Sequence, residues 1–255
     1  ILDPDLCDMM IGISDPITEG QGNYAAHWSR SETDPVYYAA GGSYGQSVIL
    51  VPELNMVVSI LAGTSSNVND VVFNELIAPT VADRAAGVTA YENASEAALE
   101  TYASTLSLMN VPVFTASPMG EIVDDVTFIA EENKYNIEAV ALDVKDDSVT
   151  FTMKDNRGIH TVVNGIDQWL YNETTMTGNY MHHQYTNNPE YIYAYAEWQD
   201  DSTLTLTWRY PQMAFVDQIT LTLEDDGTGM SLVRTVNVNS GEKITEPVAF
   251  SAVLE

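Results

Sequence analysis

Positive charge is scarce in this chain. Only 9 of its 255 residues are lysine or arginine, against 37 aspartates and glutamates, and the formal net charge is −28. A charge of this sign repels nucleic-acid phosphates and anionic lipid headgroups, so we expect no nucleic-acid partner. The sequence also lacks an uninterrupted apolar run of about 18 residues, the length that a membrane-spanning helix requires. We therefore expect no membrane insertion by this segment.

Cysteine and histidine are also rare. Cys7 is the single cysteine, which excludes a disulfide within the chain, and its place in an apolar-periodic helix predicts a small buried side chain. His182 and His183 are adjacent and would face opposite sides of a strand, and His160 is distant in sequence. Tetrahedral metal sites need several convergent ligands, so we expect no metal and no cofactor. Weak calcium binding at one of the Asp-Asp pairs is the remaining alternative, without the spacing of a dedicated loop.

The strongest local pattern lies at residues 37–63. Residues 48–51 and 56–61 are short apolar runs rich in β-branched side chains, typical of strands covered on both faces. Between them, Pro-Glu-Leu-Asn at 52–55 has turn chemistry, because proline fixes its φ and asparagine tolerates the left-handed region. Three glycines before the first run predict a tight turn or a close approach of a ligand to the backbone: Gly41, Gly42 and Gly45. A plain glycine-rich loop is the simpler alternative.

Helices are predicted after this hairpin. Residues 68–84 place four apolar side chains on one side, the stripe of a helix packed against a sheet: Val71, Val72, Leu76 and Ile77. We expect Pro79 to bend or end the first part of this helix. A connecting helix is predicted over 95–109, followed by a Pro- and Ser-containing linker at 110–120.

From residue 121 onward the hydrophobic period changes to two. Leu204, Leu206 and Trp208 share one face, and four runs alternate in this way: 148–154, 191–198, 202–208 and 216–224. Polar turns separate the runs, so we expect eight or nine antiparallel strands in a barrel or a sandwich. The predicted fold is therefore α+β, with units at 1–88 and 121–255 and a helical connector and linker at 89–120.

The second half also contains a region rich in tyrosine and methionine. Its members are Met176, Tyr180, Met181, Tyr185, Tyr191, Tyr193 and Tyr195. Core packing and cross-strand pairs are the commonest use of such rings in sheets. The alternative is a stacking platform for a sugar or a peptide, because tyrosine presents an apolar face with a polar tip.

The first half resembles a known enzyme class. Four stretches resemble, in order, the final third of serine hydrolases of the class C β-lactamase and penicillin-binding-protein superfamily: residues 1–9, 22–24, 37–63 and the helix ending at 77–79. The resemblance covers residues 1–85. It implies a partial β-lactamase-like antiparallel sheet with helices, taken from an enzyme that works through a serine acyl-enzyme.

The resemblance also implies substrate-binding residues. In the family, the turn before the hairpin carries a three-residue motif: a Lys or His, then a Thr, Ser or Gly, then a Gly. In this chain the three positions of the motif are occupied by Ala40, Gly41 and Gly42. A shift of one residue, to 39–41, is the other register. Alanine thus stands where the family often has a cation, so anchoring of a substrate carboxylate here is in doubt. The backbone N–H of Ser43 matches an oxyanion-hole donor, a role that does not depend on the side chain.

Two motifs that such a hydrolase needs are missing upstream of this turn. They are a nucleophilic Ser three residues before a Lys on a helix, and a Tyr or Ser two residues before an Asn. Residues 240–243 match the first spacing, but in a predicted turn. The second spacing occurs three times, always downstream of Gly41 and so in the wrong order: 65–67, 91–93 and 185–187. No catalytic residue is therefore assigned in this chain.

These observations lead to two functional expectations. The sequence opens inside what resembles a family helix, with Asp3 as N-cap and Pro4 at the first helical position, so we expect a fragment that is inactive alone. Its expected partner is the missing N-terminal part of the catalytic domain, and its uncovered apolar surface favours self-association. The parent would be a β-lactamase, a D-Ala-D-Ala peptidase or an esterase. The alternative is a non-catalytic module of the cell envelope that binds glycan or peptide.

Residues 121–255 resemble the β-rich, lipocalin-like C-terminal domain that is appended to many bacterial hydrolases of this superfamily. The resemblance rests on short motifs in the family order: Glu-Trp at 197–198, Asp-Asp-Ser-Thr-Leu at 200–204, Arg-Tyr-Pro at 209–211, Leu-Thr-Leu at 221–223 and Asn-Val at 237–238. It implies that this domain caps, docks onto or stabilises the catalytic domain.

Overall fold

The computed structural model describes residues 3–10, 24–25, 27–32, 34–64, 66–87, 96–107, 116–176, 182, 189–238 and 248–255. The chain divides into two compact units, residues 1–107 and 108–255. The described residues form a mixed α+β structure that is mostly β. The division falls inside the predicted connector at 89–120.

The first unit contains an antiparallel sheet and helices. Five strands lie in the sheet in chain order: β1 (Tyr24–Ala25), β2 (Trp28–Arg30), β3 (Tyr38–Gly41), β4 (Ser47–Val51) and β5 (Met56–Ile60). One helical stretch follows, made of α2 (Val68–Val72), a π-helical turn (Phe73–Ile77) and α3 (Ala78–Ala85). The other described helices of this unit are α1 (Pro4–Met10) and α4 (Glu96–Ser104).

The helical stretch after β5 covers one face of the sheet. The buried core between them consists of Ile49, Val51, Phe73 and Ile77. The opposite face remains open: Val57 is 67% exposed and Val48 is 37% exposed. The predicted hairpin is therefore present, but the prediction that both of its faces are covered is wrong, because helix packs against only one of them.

Local sequence explains the turn and the irregular helix. Asn55 adopts the left-handed region, with φ of 50°, and its N–H donates to the carbonyl of Pro52 at 2.9 Å. Pro79 does not end the helix, which continues to Ala85. Because proline has no N–H and would clash with the carbonyl four residues earlier, the wider π-helical turn directly before α3 relieves the conflict.

Helix α1 begins as predicted. The side chain of Asp3 accepts the N–H of Asp5 at 2.9 Å, and Pro4 is the first helical residue. The prediction that Cys7 is buried is wrong, since the thiol-bearing residue is partly exposed and no residue of α1 is buried. An apolar stripe on a helix shows which face would be buried, but it does not supply the partner.

The second unit is a closed β-barrel. Its described strands are β6 (Val126–Ala130), β7 (Ile137–Val144), β8 (Ser148–Asp155), β9 (Gly158–Ile166), β10 (Leu170–Thr174), β11 (Glu190–Trp198), β12 (Thr203–Arg209), β13 (Val216–Leu223), β14 (Gly229–Val236) and β15 (Val248–Leu254). Nine of them run antiparallel in the order β11-β12-β13-β14-β15-β6-β7-β8-β9. Parallel pairing of Gly165 on β9 with Tyr195 on β11 closes this ring, and β10 adds to β11. Of the two predicted architectures, a barrel and a sandwich, the structure has the barrel, and the described strands number ten rather than eight or nine.

The barrel interior follows the predicted alternation. Leu204, Leu206 and Trp208 are completely buried and share one side of β12, as the period of two predicted. Each of the four predicted strands is present to within one residue at either end.

A short helix, α5 (Pro118–Ile122), packs against the barrel. Ser117 caps it by accepting the N–H of Met119 at 3.0 Å, and Gly120 lies close to Trp198. The prediction of a linker up to residue 120 is therefore wrong at its end, because proline at the first helical position starts a helix rather than a loop. Among the described helices of both units, none is long and apolar enough to cross a membrane.

Candidate functional site

The sequence-predicted site residues lie together on the turn between β3 and β4. Ala40 and Gly41 are the last residues of β3, Gly42 follows the strand, and Ser43 begins a one-turn 3₁₀ helix. The N–H of Gly42 donates to the carbonyl of Gln46 at 2.7 Å and closes the turn. We call residues 40–46 the glycine turn.

The glycine turn is held in one shape by the segment that follows β5. Tyr44 and Gly45 both have left-handed backbone, with φ of 64° and 85°. A left-handed tyrosine is unfavourable by about 1 kcal/mol or more, so its surroundings must hold it there. The carbonyl of Tyr44 accepts the N–H of Thr64 at 3.0 Å, and a Cβ on Gly45 would lie 3.3 Å from the Cβ of Ala62.

The outer side of the glycine turn is open. Gly41, Gly42 and Ser43 are exposed, and no atom lies within 4 Å of the position that a Cβ on Gly41 would take. The first N–H groups of a helical turn have no partner inside it, and the described residues supply no acceptor for the N–H of Ser43. The turn therefore offers a fixed backbone donor beside open space, while Ala40 contributes no charge.

Among the chance motif matches, Asn67 is described and has a structural role. Residues 91–93, 185–187 and 240–243 lie outside the described residues, as does Ser65. The remaining residue of interest, Asn67, caps α2, where its Oδ1 accepts the N–H of Asp70 at 3.3 Å. Its side chain thus has a structural role.

Of the two described histidines in the barrel, His160 lies beside the β8–β9 turn. Its Nε2 is 3.0 Å from Oδ1 of Asp155, and its Nδ1 is 2.7 Å from Oγ1 of Thr175. Arg157 donates to Oδ2 of Asp155 from Nε at 2.9 Å and from Nη2 at 2.7 Å. Burial raises the pKa of Asp155, but hydrogen bonds from Arg157 and His160 outweigh it, and the pKa lies below its usual value.

The chain of contacts from Thr175 to His160 to Asp155 has the arrangement of a catalytic triad, with a hydroxyl as nucleophile, a histidine as base and a carboxylate that orients the histidine. The burial argues for a structural role instead. His160 is only 1% exposed, and Arg157 already holds both oxygens of the Asp155 carboxylate. The cluster ties Arg157 of the β8–β9 turn to the end of β8, to His160 on β9 and to Thr175, which directly follows β10.

A second buried cluster joins His182, Asp217 and Arg234. Nε2 of His182 is 2.7 Å from Oδ1 of Asp217, and Arg234 donates to Oδ2 through Nε at 2.8 Å and also through Nη2. All three side chains are at least nine-tenths buried. Burial raises the pKa of Asp217, but the charges of Arg234 and His182 more than offset it, so the pKa is below its usual value. The guanidinium of Arg234 also lies 5.2 Å from the ring of Trp208.

The sequence analysis missed Asp217 and Arg234, although a signal was present. Asp217 is in phase with the inward-facing Ile219 on β13, and Arg234 is in phase with Leu232 on β14. A charged residue at an inward position of an alternating strand predicts a buried partner of opposite charge. His182 and His183 were expected to face opposite sides; His183 lies outside the described residues.

The tyrosine- and methionine-rich region divides into core and surface. Met176 is completely buried and Tyr195 is 4% exposed, whereas Tyr191 and Tyr193 are 39% and 36% exposed. The other predicted members lie outside the described residues: Tyr180, Met181 and Tyr185. Both interpretations of this region, core packing and a surface platform, therefore have candidate residues.

Comparison with known proteins does not assign a family. A scan against protein-family models finds no match, and neither does a search of curated proteins. Function must therefore be inferred from the residues and their geometry.

Proposed function

We propose that residues 1–88 are the C-terminal portion of the catalytic domain of a serine acyl-hydrolase of the β-lactamase and penicillin-binding-protein type. The nucleophilic serine and its lysine would come from a segment outside this chain. The enzyme would cleave an ester, amide or peptide bond through a serine acyl-enzyme, as a β-lactamase, a D-Ala-D-Ala peptidase or an esterase does. The barrel would cap, dock onto or stabilise that domain.

The observation that carries this proposal is the open, fixed donor of the glycine turn. When a serine attacks a carbonyl carbon, negative charge develops on the carbonyl oxygen, and a preorganised N–H lowers the energy of that state. Ser43 begins a 3₁₀ turn, where the first N–H groups have no partner inside the turn, and Gly41, Gly42 and Ser43 are all exposed. The hydrogen bond from the N–H of Thr64 to the carbonyl of Tyr44 holds the turn in place.

The open sheet face supports the same proposal. A sheet needs cover on each apolar face, and within the described residues α2 and α3 cover only one. The other face carries Val48 and Val57, and β5 is an edge strand among the described strands of this sheet. A catalytic domain completed by an N-terminal part would cover this face and pair with this edge.

The first prediction concerns the chain alone. We expect no covalent adduct when the chain is incubated with a fluorophosphonate or a β-lactam, because no Ser-x-x-Lys motif precedes the glycine turn. Intact-mass spectrometry is the measurement. Reading the gene upstream of Ile1 gives the matched check: we expect Ser-x-x-Lys on a predicted helix, then Tyr-x-Asn. An adduct on this chain, or a start codon directly before Ile1, would remove the proposal and favour the non-catalytic module.

The second prediction is self-association through the open sheet face. We expect dimers or larger species in sedimentation velocity at micromolar concentration, because Val57 is 67% exposed on an edge strand. Val57→Lys should shift the distribution toward monomer. Val71→Lys is the matched control, since Val71 is 59% exposed on α2, and it should leave the distribution unchanged. Strictly monomeric wild-type protein would count against this surface.

A further inference from the structure

The outer face of the barrel carries two neighbouring groups of aromatic side chains in contact, where β10 pairs with β11. Tyr171 lies directly opposite Tyr193, and their ring centroids are 5.2 Å apart. Tyr171 also stacks on Tyr191, at 5.5 Å with 11° between the ring planes. Just before β10, Trp169 contacts Tyr195 at 5.2 Å. We call this surface the aromatic ladder: Trp169, Tyr171, Tyr191, Tyr193 and Tyr195.

We propose that the aromatic ladder binds a neutral saccharide. The rings of Tyr171, Tyr191 and Tyr193 are between 36% and 58% exposed, so part of each is available to a ligand. A pyranose ring has an apolar C–H face and a rim of hydroxyl groups, which matches an aromatic ring with a polar tip. Residues two apart on a strand are about 6.8 Å apart, so the ladder is longer than one sugar ring.

Unpartnered polar atoms at one end of the ladder point to a ligand that carries hydroxyl groups. Three side-chain atoms here are buried and have no hydrogen-bond partner in the described part of the chain: Trp169 Nε1, Tyr195 Oη and Glu197 Oε2. They comprise a donor, a hydroxyl and an acceptor, and a sugar hydroxyl both donates and accepts. Leaving such groups unpaired costs about 1 to 3 kcal/mol each, so their concentration at one place requires a reason.

The three atoms lie below the surface, which gives Trp169 a specific part in binding. Its indole contacts the ring of Tyr195 and lies 5.6 Å from the guanidinium of Arg209. Because Tyr195 Oη and Glu197 Oε2 are buried and Trp169 packs on Tyr195, we expect a ligand hydroxyl that binds these atoms to displace the Trp169 side chain. Binding should therefore change tryptophan fluorescence, while the buried Trp198 and Trp208 are unaffected.

Charge selects a neutral ligand over an anionic one. Glu173 lies opposite Tyr191 on the outer face and Glu197 lies at the other end, so two carboxylates outnumber the one neighbouring guanidinium among the described residues, Arg209, and the chain carries a net charge of −28. An acidic polysaccharide would be repelled. A saccharide is favoured over a proline-rich peptide because the rings lie on the outside of a sheet, whereas such peptides dock into aromatic grooves.

Cross-strand stabilisation by itself explains less of this surface. Aromatic pairs on a sheet contribute about 0.2 to 1 kcal/mol each, and Tyr171 with Tyr193 fits that use. It does not account for three buried, unpaired polar atoms beside the same rings. The ligand proposal accounts for both observations, and it does not depend on the hydrolase assignment.

The test is a titration of the full chain with neutral oligosaccharides at concentrations up to millimolar. Cellohexaose, chitohexaose and maltohexaose serve as probes, with an oligogalacturonate and a decaproline peptide as comparisons, followed by calorimetry and tryptophan fluorescence. We expect at least one neutral probe to bind, and Tyr171→Ala with Tyr193→Ala to weaken it by about tenfold or more. Tyr102→Ala, on α4 and 64% exposed, is the matched control and should change nothing.

Two conservative variants keep the test decisive if the double alanine variant unfolds. Tyr193→Leu retains an apolar side chain, and Glu197→Gln removes only a charge; each should weaken binding while the barrel remains folded. Three results would overturn the proposal: no neutral probe binds, these variants leave binding unchanged, or only the oligogalacturonate or the peptide binds. Labelling by a hydrolase probe is independent of every one of these outcomes.

Discussion

Asp217→Ala should lower the free energy of unfolding of the barrel by about 3 to 5 kcal/mol. The substitution leaves Arg234 buried with no carboxylate beside it and removes the partner of His182 Nε2. Urea unfolding followed by tryptophan fluorescence measures this, since Trp198 and Trp208 are both in the barrel core. Asp225→Ala is the matched control: this aspartate is exposed in the β13–β14 turn, and its loss should change stability by less than about 0.5 kcal/mol.

The effect of Asp217→Ala should also depend on pH. Because the pKa of Asp217 is lower in the folded protein than its usual value, its contribution is present above the unfolded-state pKa of about 3.9 and is lost as the pH falls through the folded-state value. The difference between wild type and variant should therefore shrink below about pH 4. Adding Arg234→Met to the variant should recover part of the loss, since it removes the unpaired cation. A loss below about 1 kcal/mol at neutral pH would show that the cluster is not a buried ion pair.

Gly165→Ala should destabilise the barrel by about 1 to 3 kcal/mol or more, by opening its closure. A Cβ at this position would overlap the carbonyl oxygen of Gln168 and lie 2.8 Å from the Cγ of that residue and 3.0 Å from Cγ of Leu170. Gly165 is also where β9 pairs with β11. Because the obstacle is backbone, the corner between β9 and β10 must shift. The measurement is the urea midpoint of the barrel.

Gly229→Ala is the matched control for this substitution. A Cβ there would meet only the carboxylate end of the exposed Glu224 side chain, at 2.6 Å and above, and a flexible side chain moves aside at little cost. We expect Gly229→Ala to cost less than about 1 kcal/mol. Equal effects of the two substitutions would contradict the role of Gly165 in closing the barrel.

Much of the barrel could be predicted because alternation is a local property. The strands at 148–154, 191–198, 202–208 and 216–224 are present to within one residue at either end, since a strand with one buried face must alternate. The alternation also indicates which side chains of a strand face the barrel interior, and this indication extends to charged residues. Asp217 and Arg234 are in phase with buried aliphatic residues, which predicts their pairing in the interior.

Features that depend on which other part of the fold a strand or helix packs against could not be predicted. Nothing around Gly165 shows that β9 pairs in parallel with β11, because that contact joins residues about thirty positions apart. Cys7 and Val57 follow the pattern of buried positions, yet Cys7 is partly exposed and Val57 is exposed, because the pattern does not supply the covering element. The π-helical turn before Pro79 is a third case, since proline predicts a disturbance but not its form.

The glycine turn was predicted as a turn, and its left-handed tyrosine was not. Asn55 is left-handed as its side chain favours, whereas Tyr44 has no local preference for that conformation. The hydrogen bond from the N–H of Thr64 to the carbonyl of Tyr44 holds it there. A residue in an unfavourable conformation that tertiary contacts maintain is a reason to look for function at that place.

The most direct measurement is the acylation rate of the complete gene product with a β-lactam or a fluorophosphonate, with the modified residue mapped by mass spectrometry. The account predicts an adduct on a serine encoded upstream of Ile1. In the Gly42→Val variant this adduct should form at least about tenfold more slowly, because the substitution places a branched side chain beside the Ser43 N–H. Val71→Lys, at an exposed position on α2 outside the glycine turn, should leave the rate unchanged. Absence of any adduct, or an unchanged rate in the Gly42→Val variant, would contradict the assignment of the glycine turn to an acyl-transfer site.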